Sequence, residues 1–311
     1  MKMTDDERQR LERLLPNLKR RAFIYETIRS FFNELDFMEV ETPTRSPAIA
    51  PEKEIVPIDS DGWFLSTSPE LYMKRLLAAG YDRIYQFNRC FRKGERGKYH
   101  NPEFTLLEWY RKGASYEQMM TDTEQLVNTI AARLGVGSTL RYRGKTIDLS
   151  LPWERLTVSE AFKALAGWDP TVDPDIRRFD EETVLKVIPN LKPIRPTFLV
   201  DYPAPMASLA RLKPGNSRVA ERVELFIGGL ELSNAYSELN NQKEQEARFQ
   251  KEIEEIKKEQ HRIAPMPDKF LKAVANLPEC AGNALGIDRL VMLFCDAGSI
   301  DEVMPFTVDE A

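Results

Sequence analysis

Histidine is scarce in this chain: among 311 residues only His100 and His261 occur. With no His-Glu-x-x-His run, this leaves little room for histidine-based metal catalysis. Cysteine is nearly as rare, and Cys90, Cys280 and Cys295 show no Cys-x-x-Cys spacing and leave an odd one out. Reduced thiols in the cytoplasm are the expectation, and a zinc site is not. No apolar run approaches a membrane span, and the opening MKMTDDERQR is too charged for a secretory signal, so no membrane partner is expected. An excess of positive charge is missing too. The 44 basic residues set against 49 acidic ones give −5, which argues against a general nucleic-acid surface. No Gly-x-Gly-x-x-Gly opens a helix after a strand. The run Gly94-Glu95-Arg96-Gly97-Lys98-Tyr99 resembles a phosphate loop only superficially, because it sits in a hairpin. Any nucleotide must therefore be held by another architecture.

What remains is the composition of an ordinary globular enzyme, 42% hydrophobic and 30% charged. Residues 4–36 place Leu11, Leu14, Leu15, Ile24, Ile28, Phe31 and Phe32 at helical spacing, and Pro16 is expected to split them into two helices. FMEVETP (37–43) reads as a short strand stopped by Pro43, and residues 44–62 as loop. Strand WFLST (63–67) leads into a helix opening at Ser68-Pro69-Glu70, where serine caps and proline fits the first turn.

RIYQFNRCFR (83–92) and FTLLEWYRK (104–112) read as a long hairpin with a polar tip. A helix over 115–134 and a mixed segment (140–196) follow. TFLVD (197–201), RVELFIGG (222–229) and LELSNAYSEL (230–239) are β-like, residues 241–261 a charged solvated helix, and GIDRLVMLF (286–294) a buried one. Strands clustered centrally with helices at both ends predict an α+β fold with an antiparallel sheet flanked by helices.

The segments FMEVETP, TSPELYMKRLL, FRKGERGKYHNPEFTLLEWYR, DYPAPMASLA, ELSNAYSEL and AGNALGIDRLVM, in that order, resemble the catalytic domain of the class II aminoacyl-tRNA synthetases, lysyl branch. Motif 1 falls near 20–43, motif 2 near 83–112 and motif 3 near 281–294. The whole chain (1–311) then reads as one catalytic domain. Only about one helical hairpin precedes motif 1, too short for the anticodon-reading OB barrel of those enzymes. The chain is therefore more similar to their stand-alone paralogues, which adenylate β-lysine and transfer it to a lysine of elongation factor P. Ser68 and Ala284 match that paralogue group, where the synthetases carry alanine and glycine. The resemblance implies a homodimer built on motif 1, lysine or β-lysine as substrate, elongation factor P as acceptor, and no stable tRNA binding.

Adenylation joins an ionised carboxylate to the α-phosphate of ATP, so the protein must mainly position reactants and neutralise charge. By resemblance, Arg92 faces the α-phosphate and Arg289 the γ-phosphate. Phe104 stacks on adenine, and Lys93, Gly94, Glu95, Asn101, Leu232 and Gly286 complete the ATP site. Glu231 and Glu238 would share Mg²⁺, with Glu231 counted among the catalytic residues beside the two arginines. Ser68, Pro69, Glu70, Glu108, Tyr110, Asn234, Glu238 and Ala284 would hold the amino acid. Glu108 alternates with Leu107 and Trp109, a pattern that fits an exposed glutamate equally well. Glu231 and Glu238 are an odd number of residues apart, so a shared metal requires a bulge or turn near Ser233–Asn234.

Two departures stand out. The family's motif 2 reads Arg-Asn-Glu, whereas this chain reads Arg92-Lys93-Gly94 with Glu95 displaced by one. The stretch between Trp168 and Pro196 is shorter than in the paralogues, as if a helix at the rim of the site were gone. A related enzyme acylating another acceptor, or a catalytically weakened regulatory relative, are the rival readings.

Overall fold

The computed structural model describes residues 5–311. Helix α1 (Asp5–Glu34) runs unbroken through Pro16, where two helices were expected. Proline forfeits the bond to the Glu12 carbonyl, but Glu12 is exposed, so water can satisfy that oxygen. Distant anchors also hold the helix in place. Arg10, Asn17 and Arg20 each donate to a backbone carbonyl near the other end of the chain, those of Pro305, Glu302 and Phe294, all at 2.9 Å.

Short strands β1 (Met38–Glu39), β2 (Arg45–Ser46), β3 (Asp59–Ser60) and β4 (Trp63–Leu65) follow, and β2, β4 and β3 form a small sheet. Helix α2 (Glu70–Ala78) precedes the expected hairpin, β5 (Arg83–Phe91) and β6 (Glu103–Lys112). Next come α3 (Tyr116–Arg133), the ribbon β7 (Thr139–Tyr142) and β8 (Lys145–Asp148), β9 (Glu154–Thr157) and α4 (Val158–Leu165). The stretch after Trp168 keeps helical structure: α5 (Ile176–Glu182), a π-helical turn (Thr183–Val187) and α6 (Ile188–Asn190). The chain continues through β10 (Thr197–Pro203), β11 (Leu212–Lys213), β12 (Asn216–Ile227), β13 (Leu230–Ser237), α7 (Gln242–Gln260), α8 (Asp268–Val274), β14 (Cys280–Gly286) and α9 (Ile287–Cys295).

The main sheet runs β1-β5-β6-β14-β13-β12-β10-β9, with β11 beside β12. All pairings are antiparallel except β1 with β5 and β9 with β10, so the α+β expectation holds with a mixed edge on each side. Gly228 and Gly229 turn β12 into β13 with φ of 62° and 85°, the two positive angles a two-residue hairpin turn demands.

Strand alternation gives the sheet two faces of different character. Leu107 and Trp109 of β6, Ala281 and Leu285 of β14 and Leu232 of β13 enter the main core with Ile24, Ile28 and Phe32 of α1, Leu126 and Ile130 of α3 and Leu290 and Leu293 of α9. The opposite face carries Phe104, Leu106, Glu108 and Tyr110 of β6 and the small residues Gly282, Ala284 and Gly286 of β14, all lining one cavity. Among the described residues no helix is long and apolar enough to cross a membrane.

Candidate active site

The cavity over the second face has a volume of about 790 Å³, ample for a nucleotide and an amino acid end to end. Its floor is low because β14 offers only two glycines and one alanine there. A Cβ on Gly282 would collide with the Tyr110 ring and stand 2.9 Å from Glu238 Oε1. The glycine therefore lets the tyrosine lie flat against the sheet.

One end of the cavity is an acidic pocket. Glu108, left open between exposed and buried by the alternation, is buried. Its Oε1 accepts from the Ser68 hydroxyl at 2.7 Å and its Oε2 from the Tyr110 hydroxyl at 2.9 Å. Ser68 also accepts from the Glu70 N–H at 3.1 Å while orienting Glu108, but the N-cap position of α2 falls on Pro69, one residue past the serine expected there. Lys74, one turn after Glu70, reaches Glu70 at 2.5 Å and forms a close ion pair with Glu238. Burial alone would lower this ammonium, but the Glu238 and Glu70 carboxylates more than offset that and hold it protonated. Burial pushes Glu108 up to about 8, the Glu70 charge adds to this, and the bonds from Ser68 and Tyr110 only partly oppose it. Glu238 is raised by burial as well, against the pull of Lys74. Three carboxylates and one ammonium thus leave the pocket short of positive charge, an arrangement fitted to receive ammonium groups.

The other end is built for anions. Arg289, in the first turn of α9, donates to the Glu231 carbonyl at 2.9 Å and the Tyr99 carbonyl at 3.3 Å, and meets His100 Nε2 at 2.6 Å. A guanidinium can only donate, so that imidazole nitrogen accepts. Burial and the Arg289 charge lower the His100 pKa, in keeping with a neutral ring. Arg92 lies over the Phe104 ring, 5.0 Å from its centroid, and pairs with Glu95 at 3.6 Å. The displaced glutamate therefore does turn into the cavity. Asp288, beside Arg289, ties the three motifs together. Its Oδ1 meets Arg21 of α1 at 2.6 Å and its Oδ2 accepts the Thr105 N–H at 2.8 Å.

Most of the expected residues converge here: Ser68, Glu70, Arg92, Glu95, Asn101, Phe104, Glu108, Tyr110, Glu231, Leu232, Asn234, Glu238, Ala284, Gly286 and Arg289 all line the cavity. Three do not. Pro69 is buried at the start of α2, where it shapes the turn, while Lys93 and Gly94 are exposed on the hairpin tip. Asn101 borders the cavity, but its amide is already engaged. It donates to the Glu103 carbonyl at 2.6 Å and accepts from the Val308 N–H at 3.1 Å, so it anchors the loop to the C-terminal segment. The segment after Trp168 still supplies a rim helix, with Ile176, Phe179 and Asp180 of α5 facing the cavity.

The metal pair needs correction. The required bulge exists: Leu225 pairs with Ser233 but Phe226 with Glu231, so Leu232 is the extra residue. It brings Glu231, Asn234, Tyr236 and Glu238 to the cavity face. Glu231 and Glu238 nevertheless remain about six strand steps apart, roughly 20 Å, far beyond the span of one ion with Mg–O bonds near 2 Å. Glu238 belongs to the Lys74 pocket. The diagonal neighbour of Glu231 across the β12–β13 hairpin is Glu224, a residue the sequence reading passed over. Burial raises Glu224; the Glu231 charge adds to this and the Arg222 guanidinium, 2.7 Å away, opposes it. Among the described residues no group of three or more metal-ligating side chains occurs. Two carboxylates at the arginine-lined end of a cavity are nonetheless a set that would suit Mg²⁺, which takes few protein ligands and completes its shell with other oxygens.

A mixed antiparallel sheet with an acidic pocket at one end of its open face and an arginine-lined anion site at the other defines a class II synthetase-like catalytic unit. Residues 7–310 match the family model described as tRNA synthetases class II (D, K and N), and the chain belongs to that family. Its curated relatives include proteins named elongation factor P–(R)-β-lysine ligase. The one from Vibrio parahaemolyticus is 38% identical over 94% of this chain and 95% of its own length. Those from Vibrio cholerae and Klebsiella pneumoniae are each 36% identical over 96% of this chain, covering 97% and 96% of their own lengths.

Proposed function

We propose that this chain is a ligase that activates (R)-β-lysine, or lysine, as its adenylate with ATP and transfers it to a lysine side chain of elongation factor P. Membership of the class II synthetase family implies ATP use. The observation that carries the amino-acid assignment is the pocket of Glu70, Glu108 and Glu238 with one internal ammonium, because a basic amino acid brings two. Ser68 and Ala284 adjoin Glu108, where one hydroxyl or methyl can discriminate between positions of an amino group.

In this reading the nucleotide displaces Arg92 from Phe104, adenine takes the ring, and Arg92 and Arg289 neutralise the phosphates. Glu224 and Glu231 would hold Mg²⁺, which would supply charge neutralisation to the phosphates. No general base is required for this half-reaction, since the substrate carboxylate is already ionised. The names of the relatives and the net charge of −5 favour a protein acceptor over tRNA. Motif 1, chiefly the exposed side of α1, would form a twofold interface, and sedimentation at micromolar concentration should report a dimer.

Pyrophosphate exchange with a panel of amino acids, followed by mass analysis of elongation factor P, tests the reading. Exchange specific for lysine or β-lysine with a matching mass increase is expected. Charging of tRNA with elongation factor P unmodified would return the chain to the synthetases.

A further inference from the structure

Transfer to an amine poses a problem that adenylation does not. With an ordinary pKa of about 10.4, only about one lysine side chain in 2,500 is a free amine at pH 7. The ammonium must lose a proton before it can attack a carbonyl, and Glu70, Glu108 and Glu238 are occupied with the activated amino acid.

Glu52 is one of the cavity carboxylates without a role in either end, with Glu54, Asp180, Glu252 and Glu255, and the one that faces both Glu70 and Arg92. It lies in the segment between β2 and β3 and lines the cavity, and its Oε1 accepts the Ser208 hydroxyl at 3.1 Å. Among the described residues no lysine or arginine forms an ion pair with it. The backbone around it is pinned along α7. The Lys53 N–H donates to Glu252 at 3.3 Å, and the Lys53 carbonyl accepts from Gln260 at 2.7 Å. The Lys53 ammonium pairs with Glu259 at 2.7 Å, and Arg262 reaches the Ile55 carbonyl at 3.4 Å. These contacts hold the backbone in place, and the half-buried Glu52 carboxylate lines the cavity.

The charges that face Glu52 are Glu70 from α2, Arg92 from the hairpin tip and Arg222 from β12. Arg248 and Glu252 of α7 border the same part of the cavity. Burial raises Glu52 and the Glu70 charge adds to this, while Arg92, Ser208 and Arg222 oppose it. Arg92 marks the phosphate end of the adenylate proposed above and Glu70 its ammonium end, and Glu52 feels the charge of both, as a group facing the stretch of cavity between them would.

We propose that Glu52 receives the acceptor's lysine ammonium and takes its proton for the transfer step. This rests on the adenylate reading above. The acceptor R–NH₃⁺ gives one proton to the Glu52 carboxylate, and the free amine adds to the acyl carbon. The tetrahedral adduct then loses its second N–H proton to solvent, the C–O bond to phosphate breaks, and AMP departs, leaving the amide. Glu52 returns its proton to solvent, so one ammonium yields one amide and two protons.

The test compares Glu52→Gln with the unaltered enzyme in three assays. Pyrophosphate exchange reads adenylation alone. Hydroxylamine, uncharged at neutral pH, traps the adenylate without needing a base. Transfer to elongation factor P reads the whole sequence. Exchange and hydroxamate yield should stay within about twofold, while transfer at pH 7 falls about a hundredfold or more, as for loss of a general base. Transfer by the variant should then climb about tenfold per pH unit, and Glu52→Asp should restore part of it. Undiminished transfer by Glu52→Gln overturns the proposal. So does a raised KM for the amino acid in exchange, which would make Glu52 part of the first substrate's pocket. Absence of exchange and hydroxamate in the unaltered enzyme refutes the adenylate reading itself, and this inference with it.

Discussion

Glu108 should make amino-acid binding a proton-releasing event. Burial and the nearby Glu70 hold its carboxyl at about 8 in the free protein, against an ordinary glutamate value of about 4.3. At pH 7 a group with that value is about 90% protonated. Docking an ammonium against it favours the carboxylate, so binding at pH 7 should expel close to one proton. Below pH 8 affinity should rise with pH, by up to about tenfold per unit, and level off above it. Calorimetry in buffers of different ionisation enthalpy measures the proton count as a slope.

The same shift has a consequence for stability. Between about pH 4 and 8 the folded state binds more protons at this site than the unfolded chain does, so stability falls as pH rises through that window. The upper bound is about 5 kcal/mol from the size of the shift. Lysine or β-lysine should recover stability most at the alkaline end. A buffer-independent binding enthalpy at pH 7, or the same proton release from Glu108→Gln, would refute the assignment of the proton to Glu108.

Gly282→Ala should raise the KM for the amino acid by about fivefold to a hundredfold with little change for ATP, because the new methyl drives Tyr110 off Glu108; overpacking of this kind costs about 1–3 kcal/mol. An unchanged amino-acid KM in pyrophosphate exchange would show that Tyr110 has room to move. Glu224→Gln and Glu231→Gln should each raise the Mg²⁺ concentration needed for exchange, whereas Glu238→Gln should weaken amino-acid binding and leave the Mg²⁺ titration in place. A Mg²⁺ shift confined to Glu238→Gln would restore the original pairing. Arg289→Ala should slow exchange a hundredfold to a thousandfold, about 2.7–4 kcal/mol, and full activity would remove the residue from the phosphate site.

The parts of this architecture readable in the sequence are those set by local periodicity. The β5–β6 hairpin, α3, α7 and α9 form within a few residues of where their patterns place them. Motif spacing located fifteen of the eighteen expected site residues around one cavity, leaving out Pro69, Lys93 and Gly94. What escaped depends on registration between distant segments. The bulge at Leu232 was inferable from parity, but parity says nothing of separation along a strand, so Glu238 was paired with the wrong end of the cavity. Glu224 becomes the partner of Glu231 only once the glycine turn folds β12 onto β13. Lys74 was visible as a helical i+4 neighbour of Glu70, yet its burial depends on Glu238 arriving from 164 residues away (238 minus 74). Pro16 followed its propensity in the reading, and tertiary anchors overrode it in the fold.

The docking of α1 onto α9 and the C-terminal segment sets a schedule for synthesis. Arg20 and the Phe294 carbonyl that receives it lie 274 residues apart. At about 5–20 residues per second, roughly 15–55 s pass between their emergence from the ribosome. Phe32 can meet Phe37, Tyr85 and Trp109 early in that interval, but the side of α1 that docks on α9 awaits a partner not yet made. The Arg21–Asp288 contact that joins motif 1 to motif 3 cannot close until motif 3 has been made. The first helix thus cannot complete its docking until almost the last helix has been made, and holdase chaperones should find the unfinished core a substrate late into translation.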